Sequence, residues 1–218
     1  MRVGPSSDPA PADCAGDPGA DRLAEAEARH GTPRVVRLEQ EVRAWELDLI
    51  EKVCADRRHH DVTVFAFRGL DLALVHKPSD PPGVWWAPAG GVALGEQLWE
   101  AAEREAHEEA GVSVRVSRYV LRVHALFWCG ARRRPWTSHV MAADWCSGEP
   151  APVDTREIEV ASWVAYDRFR AEVAPRMRAV GWGRLAYRLQ MAEIFFDELG
   201  LSGGAGGSPR IQCSDRRE

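Results

Sequence analysis

The sequence is poor in lysine: Lys52 and Lys77 are its only two, among 28 basic residues. A skew toward arginine follows from coding bias as readily as from phosphate binding, and by itself it assigns no function. An excess of positive charge is missing as well, with a net charge of -5 and a pI near 5.8. Holding nucleic acid by neutralising its phosphates needs a basic face, so no nucleic-acid partner is expected. Cys14, Cys54, Cys129, Cys146 and Cys213 are scattered without a CxxC pair or a Cys/His cluster, which argues against a zinc site and against a disulfide framework. No apolar run is long enough to span a bilayer, and "MRVGPSSDPAPADCAGDPGAD" at the N-terminus has no apolar stretch of the kind a secretory signal carries. The expectation is a cytoplasmic protein with reduced thiols and no membrane partner; a homodimer is left open.

What is present suits one soluble domain: 218 residues, 45% hydrophobic and 28% charged. Residues 1–33, rich in Pro, Gly, Ala and Asp, read as a disordered arm, and 200–218 as a flexible Gly/Ser-rich tail. The domain is expected over 34–199. Leu38, Val42, Trp45, Leu49 and Val53 recur at spacings of three and four, which predicts a helix over about 35–55. "DVTVFAF" and "DLALVHK", joined through Gly69, predict a hairpin. "PSDPPGVWWAPAGG" is too broken by Pro and Gly to be an element, and a helix is predicted from near Glu96 to Gly111. Two strands flanking a "CGARRRP" loop, a short strand at "VASWVAY" and two further helices follow. The alternation implies an α/β (α+β) fold with a mixed β-sheet between helices.

The helix from Glu96 carries Glu105, Glu108 and Glu109. At about 100° per residue the three fall within roughly a 100° arc, on one face. Unpaired, like charges at i,i+4 cost a few tenths of a kcal/mol; a hard cation reverses that sign, and carboxylate oxygens suit Mg²⁺ or Mn²⁺. A solvated acidic face is the competing reading. Against it, Leu98, Ala101 and Ala102 share that side, and a Pro/Gly loop whose backbone can approach a metal or an anion precedes the helix.

From Gly90 the chain reads Gly, five residues, Glu96, seven residues, then Arg104-Glu105-Ala106-His107-Glu108-Glu109-Ala110-Gly111-Val112. This resembles the Nudix box, the signature of the Nudix hydrolases. It departs from the pattern at Ala106, where the family has a larger aliphatic residue. The resemblance implies a Nudix-like α/β/α sandwich and cleavage of a diphosphate bond in a nucleoside diphosphate linked to another moiety, by water attack on phosphorus with Mg²⁺ or Mn²⁺. It implies Glu105 and Glu109 as principal metal ligands, Glu108 and the Ala89 carbonyl as further ligands, and Arg104 as the group that holds a glutamate in place. Glu96 is assigned to the loop and helix start. An additional glutamate outside the box acts in many relatives as base or ligand, and Glu157 is preferred for that over Glu159.

For the small-molecule substrate, Trp85 and Trp86 are candidates, one expected to be buried and the other to flank the ligand. Arg132 and Arg134, with Arg133, form either a phosphate clamp or a solvated turn. His59, His60, His124 and His139 read as structural. Phe127 and Trp128 stand where the ADP-ribose and dinucleoside-polyphosphate branches carry a diagnostic Pro or Tyr, so neither branch is supported. The competing function is a Nudix-fold nucleotide-binding sensor or partner-binding protein without hydrolysis; the intact glutamate set argues for catalysis. An isomerase on the same fold would need a cysteine beside the metal, which neither Cys129 nor Cys146 supplies convincingly.

Overall fold

The computed structural model describes residues 19–55 and 59–201. The first eighteen residues of the expected arm and most of the expected tail lie outside that set. Among the described residues, seven strands form one mixed sheet: β1 (Arg34–Glu41), β2 (His60–Arg68), β3 (Asp71–His76), β4 (Ala89–Gly90), β5 (Ser113–Cys129), β6 (Arg132–Ser147) and β7 (Val160–Ala165). The order is β1-β5-β6-β2-β3-β7, with β4 also on β2. The helices are α1 (Ala20–His30), α2 (Ala44–Ala55), α3 (Leu98–Ala110), α4 (Tyr166–Arg168), α5 (Ala174–Val180) and α6 (Gly183–Glu198), with a π-helical segment, Phe169–Val173, joining α4 to α5.

β2 is the centre of the sheet. Val62 to Phe67 are buried without interruption, as expected of a strand covered on both faces. Its outward edge is divided: Phe67 and Arg68 pair with β3, whereas Val62 and Thr63 pair with β4. Into the gap runs the strap Trp86–Gly91. Trp86 exchanges both backbone hydrogen bonds with Val75 of β3, and the Pro88 carbonyl accepts from Val64 of β2 at 3.0 Å. The stretch too rich in Pro and Gly to form an element by itself is therefore pinned on both sides by the sheet. On one face of β2, Phe65 stacks on Phe195 of α6 with ring centroids 4.2 Å apart, a contact worth about 0.5–1.5 kcal/mol beyond its area.

The mixed sheet with helices agrees with the fold expected from sequence. Three local readings need correction. Residues 35–55 are not one helix: β1 lies parallel to β5 and α2 begins only at Ala44. The open edge of β5 supplies backbone partners that outweigh the helical spacing of Leu38 and Val42, and Trp45 and Leu49 end up exposed. The segment before residue 34 contains α1, held by buried Ala26 and by Glu27 to Arg122 at 2.5 Å. The "CGARRRP" loop is a two-residue turn, Gly130-Ala131, and Arg132 to Pro135 belong to β6.

Candidate active site

α3 begins with a capping box between Gln97 and Glu100 and ends at Gly111, which takes the left-handed conformation with φ 73°. A Cβ on Gly111 would stand 2.0 Å from the Ala151 carbonyl oxygen, so close packing as well as φ demands glycine there. Leu98 and Trp99 are buried in the first turn of the helix, and beyond them its buried apolar residues are all small: Ala101, Ala102, Ala106 and Ala110. Ala106, the departure from the family pattern, has no exposure left. These short side chains bring α3 close to the sheet and carry Glu105 and Glu109 inward, to 8% and 5% exposure. Glu108 remains nearly half exposed.

Arg104 organises the first carboxylates. Its Nε and Nη2 donate to the two oxygens of Glu96, its Nη1 to Glu105 at 2.7 Å and to Glu108 at 3.0 Å, and its Nη2 also to the Gly91 carbonyl at 2.7 Å. All five guanidinium N–H groups are thereby engaged. Glu96 lies ahead of the helix and also accepts the Ala93 N–H at 2.8 Å. Glu105 lies against Gly90: a Cβ there would come within 2.1 Å of Glu105 Oε1 and would push the carboxylate aside. Glu109 Oε2 accepts the Ala89 N–H at 2.8 Å, and its Oε1 lies 3.0 Å from Lys77 Nζ. Lys77 in turn reaches Glu157 at 3.3 Å. Buried Ile158 anchors the turn that presents Glu157.

Burial pushes the Glu105 carboxyl up to about 7, against the pull of Arg104 and with the help of the charges on Glu109 and Glu108. Among the described residues no three His, Cys, Asp or Glu side chains are already drawn together around a point that would hold a metal ion. Arg104 and Lys77 are the cations that stand against the three glutamates.

The glutamates lie at one end of a cleft of about 550 Å³. Leu49, Ile50 and Val53 of α2 and Phe127 of β5 line an apolar part of it. Asp61 accepts from Trp136 Nε1 at 3.1 Å and from Ser138 Oγ at 2.5 Å, and Tyr187 donates to Ser138 at 2.8 Å. α6 contributes Arg184, Tyr187, Arg188 and Met191. Glu46, 1% exposed, joins α2 to α6: its carboxylate accepts the backbone N–H groups of Arg43, Gly183 and Arg184. A buried carboxylate thus satisfies orphan donors at the start of α6.

The structure brings together Ala89, Arg104, Glu105, Glu108, Glu109 and Glu157, all lining the cleft. Glu159 turns instead to His76, at 3.5 Å. Of the two tryptophans the buried one, Trp86, lines the cleft; Trp85 is half-buried outside it, 5.9 Å from the His76 ring. Arg132 and Arg134 do not reach the cleft. Being in β6, they meet Asp48 and Glu51 of α2 at 2.5 to 2.8 Å, and these carboxylates occupy the forks that a phosphate would need. Sequence reading missed Lys77, Asp61, Ser138, Arg184, Tyr187 and Arg188. Three of these left a trace: Lys77 is one of only two lysines, and Arg184 and Arg188 stand one turn apart beside the apolar face of α6.

The family model of the NUDIX domain matches residues 57–181, more than half of the chain, and the chain belongs to the Nudix family. Its curated relatives include the NAD-capped RNA hydrolase NudC of Pseudomonas aeruginosa, 33% identical over 107 residues, which are 48% of this chain and 35% of the relative. The protein of the same name from Chromobacterium violaceum is 34% identical over 107 residues, 48% of this chain and 37% of the relative. The chain thus spans little more than a third of the length of these relatives. Among solved structures, a NUDIX hydrolase from Nitrosomonas europaea matches with a TM-score of 0.48 at 23% identity, covering 64% of this chain and 88% of that one. No described helix is long and apolar enough to cross a membrane.

Proposed function

We propose that this protein is a divalent-metal-dependent hydrolase that cleaves the diphosphate bond of a small nucleotide-derived substrate by water attack on phosphorus. The observation that carries the reading is the set of three glutamates from one helix, two of them buried, packed against the Ala89-Gly90 backbone at the end of a cleft. Membership of the Nudix family supports it.

The donor set fits Mg²⁺ or Mn²⁺: hard carboxylate oxygens and a backbone carbonyl, with no soft ligand among them. Glu105, Glu108, Glu109 and the Ala89 carbonyl would hold the cation. When bound, it supplies charge for the diphosphate oxygens and a lowered pKa for attacking water. Arg104 positions Glu105 and Glu108 through the same guanidinium nitrogen, and Glu96 keeps Arg104 in place. Lys77 holds Glu109 and Glu157 on either side of one ammonium. Glu157, 66% exposed in its side chain, is the carboxylate free enough of the core to take the proton of the attacking water. The apolar stretch formed by Leu49, Ile50, Val53 and Phe127 suits the flat face of a base.

The test is a screen with Mg²⁺ or Mn²⁺ across nucleoside diphosphate derivatives, nucleoside triphosphates, NAD⁺ and an NAD-capped RNA oligonucleotide, read by nucleotide products. Metal-dependent cleavage of a small diphosphate is expected. Tight binding with no cleavage of anything would favour a sensor, and cleavage of the capped RNA alone would overturn the small-molecule reading.

A further inference from the structure

Four cations line the cleft: Lys77, Arg104, Arg184 and Arg188. Three have carboxylate partners. Arg104 is fully engaged by Glu96, Glu105 and Glu108, together with the Gly91 carbonyl. Lys77 lies between Glu109 and Glu157. Arg184 donates to Asp80 at 2.7 Å, an aspartate with only 1% of its side chain exposed, and is walled in by Trp45, Trp86 and Trp182. Arg188 differs: among the described residues it forms no ion pair, and its guanidinium lies 4.2 Å over the ring of Trp86.

The surroundings of Arg188 are unfavourable for a lone cation. It is half-buried, one helical turn from Arg184. Burial first, and then the charge of Arg188, weaken the hold of Arg184 on its proton, so the two arginines repel within a partly desolvated wall. Stacking on an indole uses the face of a guanidinium and leaves its N–H donors, which lie in its own plane, for a forked contact with an anion. The same Trp86 ring has Lys77 Nζ 6.0 Å from its centre. Arg188 and the lysine that touches Glu109 are therefore no farther apart than those two distances laid end to end.

We infer that Arg188, backed by Arg184 and seated on Trp86, is a phosphate clamp on the α6 wall of the cleft, and that it selects substrates by a phosphate group which the glutamate end does not itself neutralise. The inference rests on the proposed diphosphate chemistry for the identity of the anion. Both residues lie beyond the segment matched by the NUDIX domain model, which stops at residue 181. The clamp's two arginines accordingly come from α6, where Arg188 packs on Trp86, and not from the matched segment. Its phosphate has two sources: the second phosphoryl group of the scissile diphosphate, or a further phosphate carried by the substrate.

The test measures binding without turnover. α,β-Methylene-ADP and an ATP analogue with methylene groups in both the α,β and β,γ bridges are titrated in Mg²⁺ by calorimetry into the parent protein, Arg188→Gln, Arg188→Lys and, as a control on the outer surface, Arg178→Gln. Arg188→Gln is expected to weaken binding about ten- to a hundredfold, the range of a lost charge-assisted hydrogen bond. Arg188→Lys keeps the charge and loses the fork, and should fall between it and the parent. Arg178→Gln should match the parent. Equal losses for both analogues place the clamp on the scissile diphosphate, and a loss confined to the triphosphate analogue places it on a further phosphate. The inference is overturned if the parent binds neither analogue, if Arg188→Gln binds both as the parent does, or if Arg178→Gln loses as much. A protein that binds through Arg188 yet cleaves nothing would end the hydrolase reading and leave the clamp standing.

Discussion

The glutamates and Arg104 at one end of the cleft come from one helix, and the backbone they pack against from the strap just before it, Ala89 and Glu109 being 20 positions apart, whereas the opposite wall joins residues as far apart as Glu46 and Arg184, separated by 138 positions. The first end is a charge device: three carboxylates, one saturated arginine and one bridging lysine. The second is a shaped surface, apolar on α2 and cationic on α6, tied together by a single buried carboxylate. Glutamate serves both, in opposite ways. Glu46 satisfies three backbone donors and is consumed by structure, while Glu105 is buried with a carboxyl that burial holds near 7. On the proposed reading, chemistry belongs to the end whose carboxylates crowd one another, and selection to the wall where Arg188 lies over Trp86.

Substitutions can break that division, beginning with the largest effect. Glu109→Gln keeps the shape and removes a charge that a hard cation needs, so kcat should fall by about a hundredfold or more with little change in KM. A loss confined to KM would move Glu109 from chemistry to binding. Two glycines provide the next contrast. In Gly90→Ala the new methyl meets only the end of the Glu105 side chain, so stability should hold while activity drops about tenfold or more. In Gly111→Ala the methyl meets the Ala151 backbone at a positive φ, and unfolding should be easier by about 1–3 kcal/mol. Thermal melts beside initial rates separate the two.

Glu105 also makes the metal-free protein sensitive to pH. Its carboxyl is raised from the usual 4.5 to about 7 in the fold. The folded state then binds the proton more tightly, and the stabilisation present below pH 4.5 is lost as pH rises through 7. From pH 5 to pH 8 the parent should lose about 2–3 kcal/mol that Glu105→Gln does not lose. Equal pH profiles for the two would show that the carboxyl titrates normally. The smallest effect belongs to the apolar wall: Ile50→Ala should raise KM a fewfold and leave kcat alone, because it removes contact with the part of the substrate that does not react. A change in kcat alone would contradict the division.

The same division decided what could be read from the sequence. The spacing of Glu105, Glu108 and Glu109 is a local matter of helical turn, and it placed three carboxylates on one face before any fold was known. The strap that pins Trp86 to Gly91 was legible only as broken loop, since its order comes from β2 and β3. Leu38 and Val42 imitated a helical stripe because period alone is blind to the open edge of β5. Arg132 and Arg134 suggested phosphate binding by type, but strand register sends them to Asp48 and Glu51. The α6 wall left almost no local signal, because its cations become a site only once α2, β3 and the strap surround them. Glu103 falls nearly opposite the face of Glu105, Glu108 and Glu109 on the helix wheel, and it accepts the Val116 N–H at 3.0 Å beside a bulge in β5.

The central claim is that the carboxylates of α3 hold a divalent cation independently of the wall that selects substrate. Mn²⁺ titration followed by electron paramagnetic resonance, at pH 8 and without nucleotide, tests it most directly in the parent, Glu109→Gln and Arg188→Gln proteins. Saturable Mn²⁺ binding in the parent, weakened at least about tenfold in Glu109→Gln and unchanged in Arg188→Gln, is the predicted result. Equal Mn²⁺ affinity in the parent and Glu109→Gln, or no saturable binding in any of the three, would contradict it.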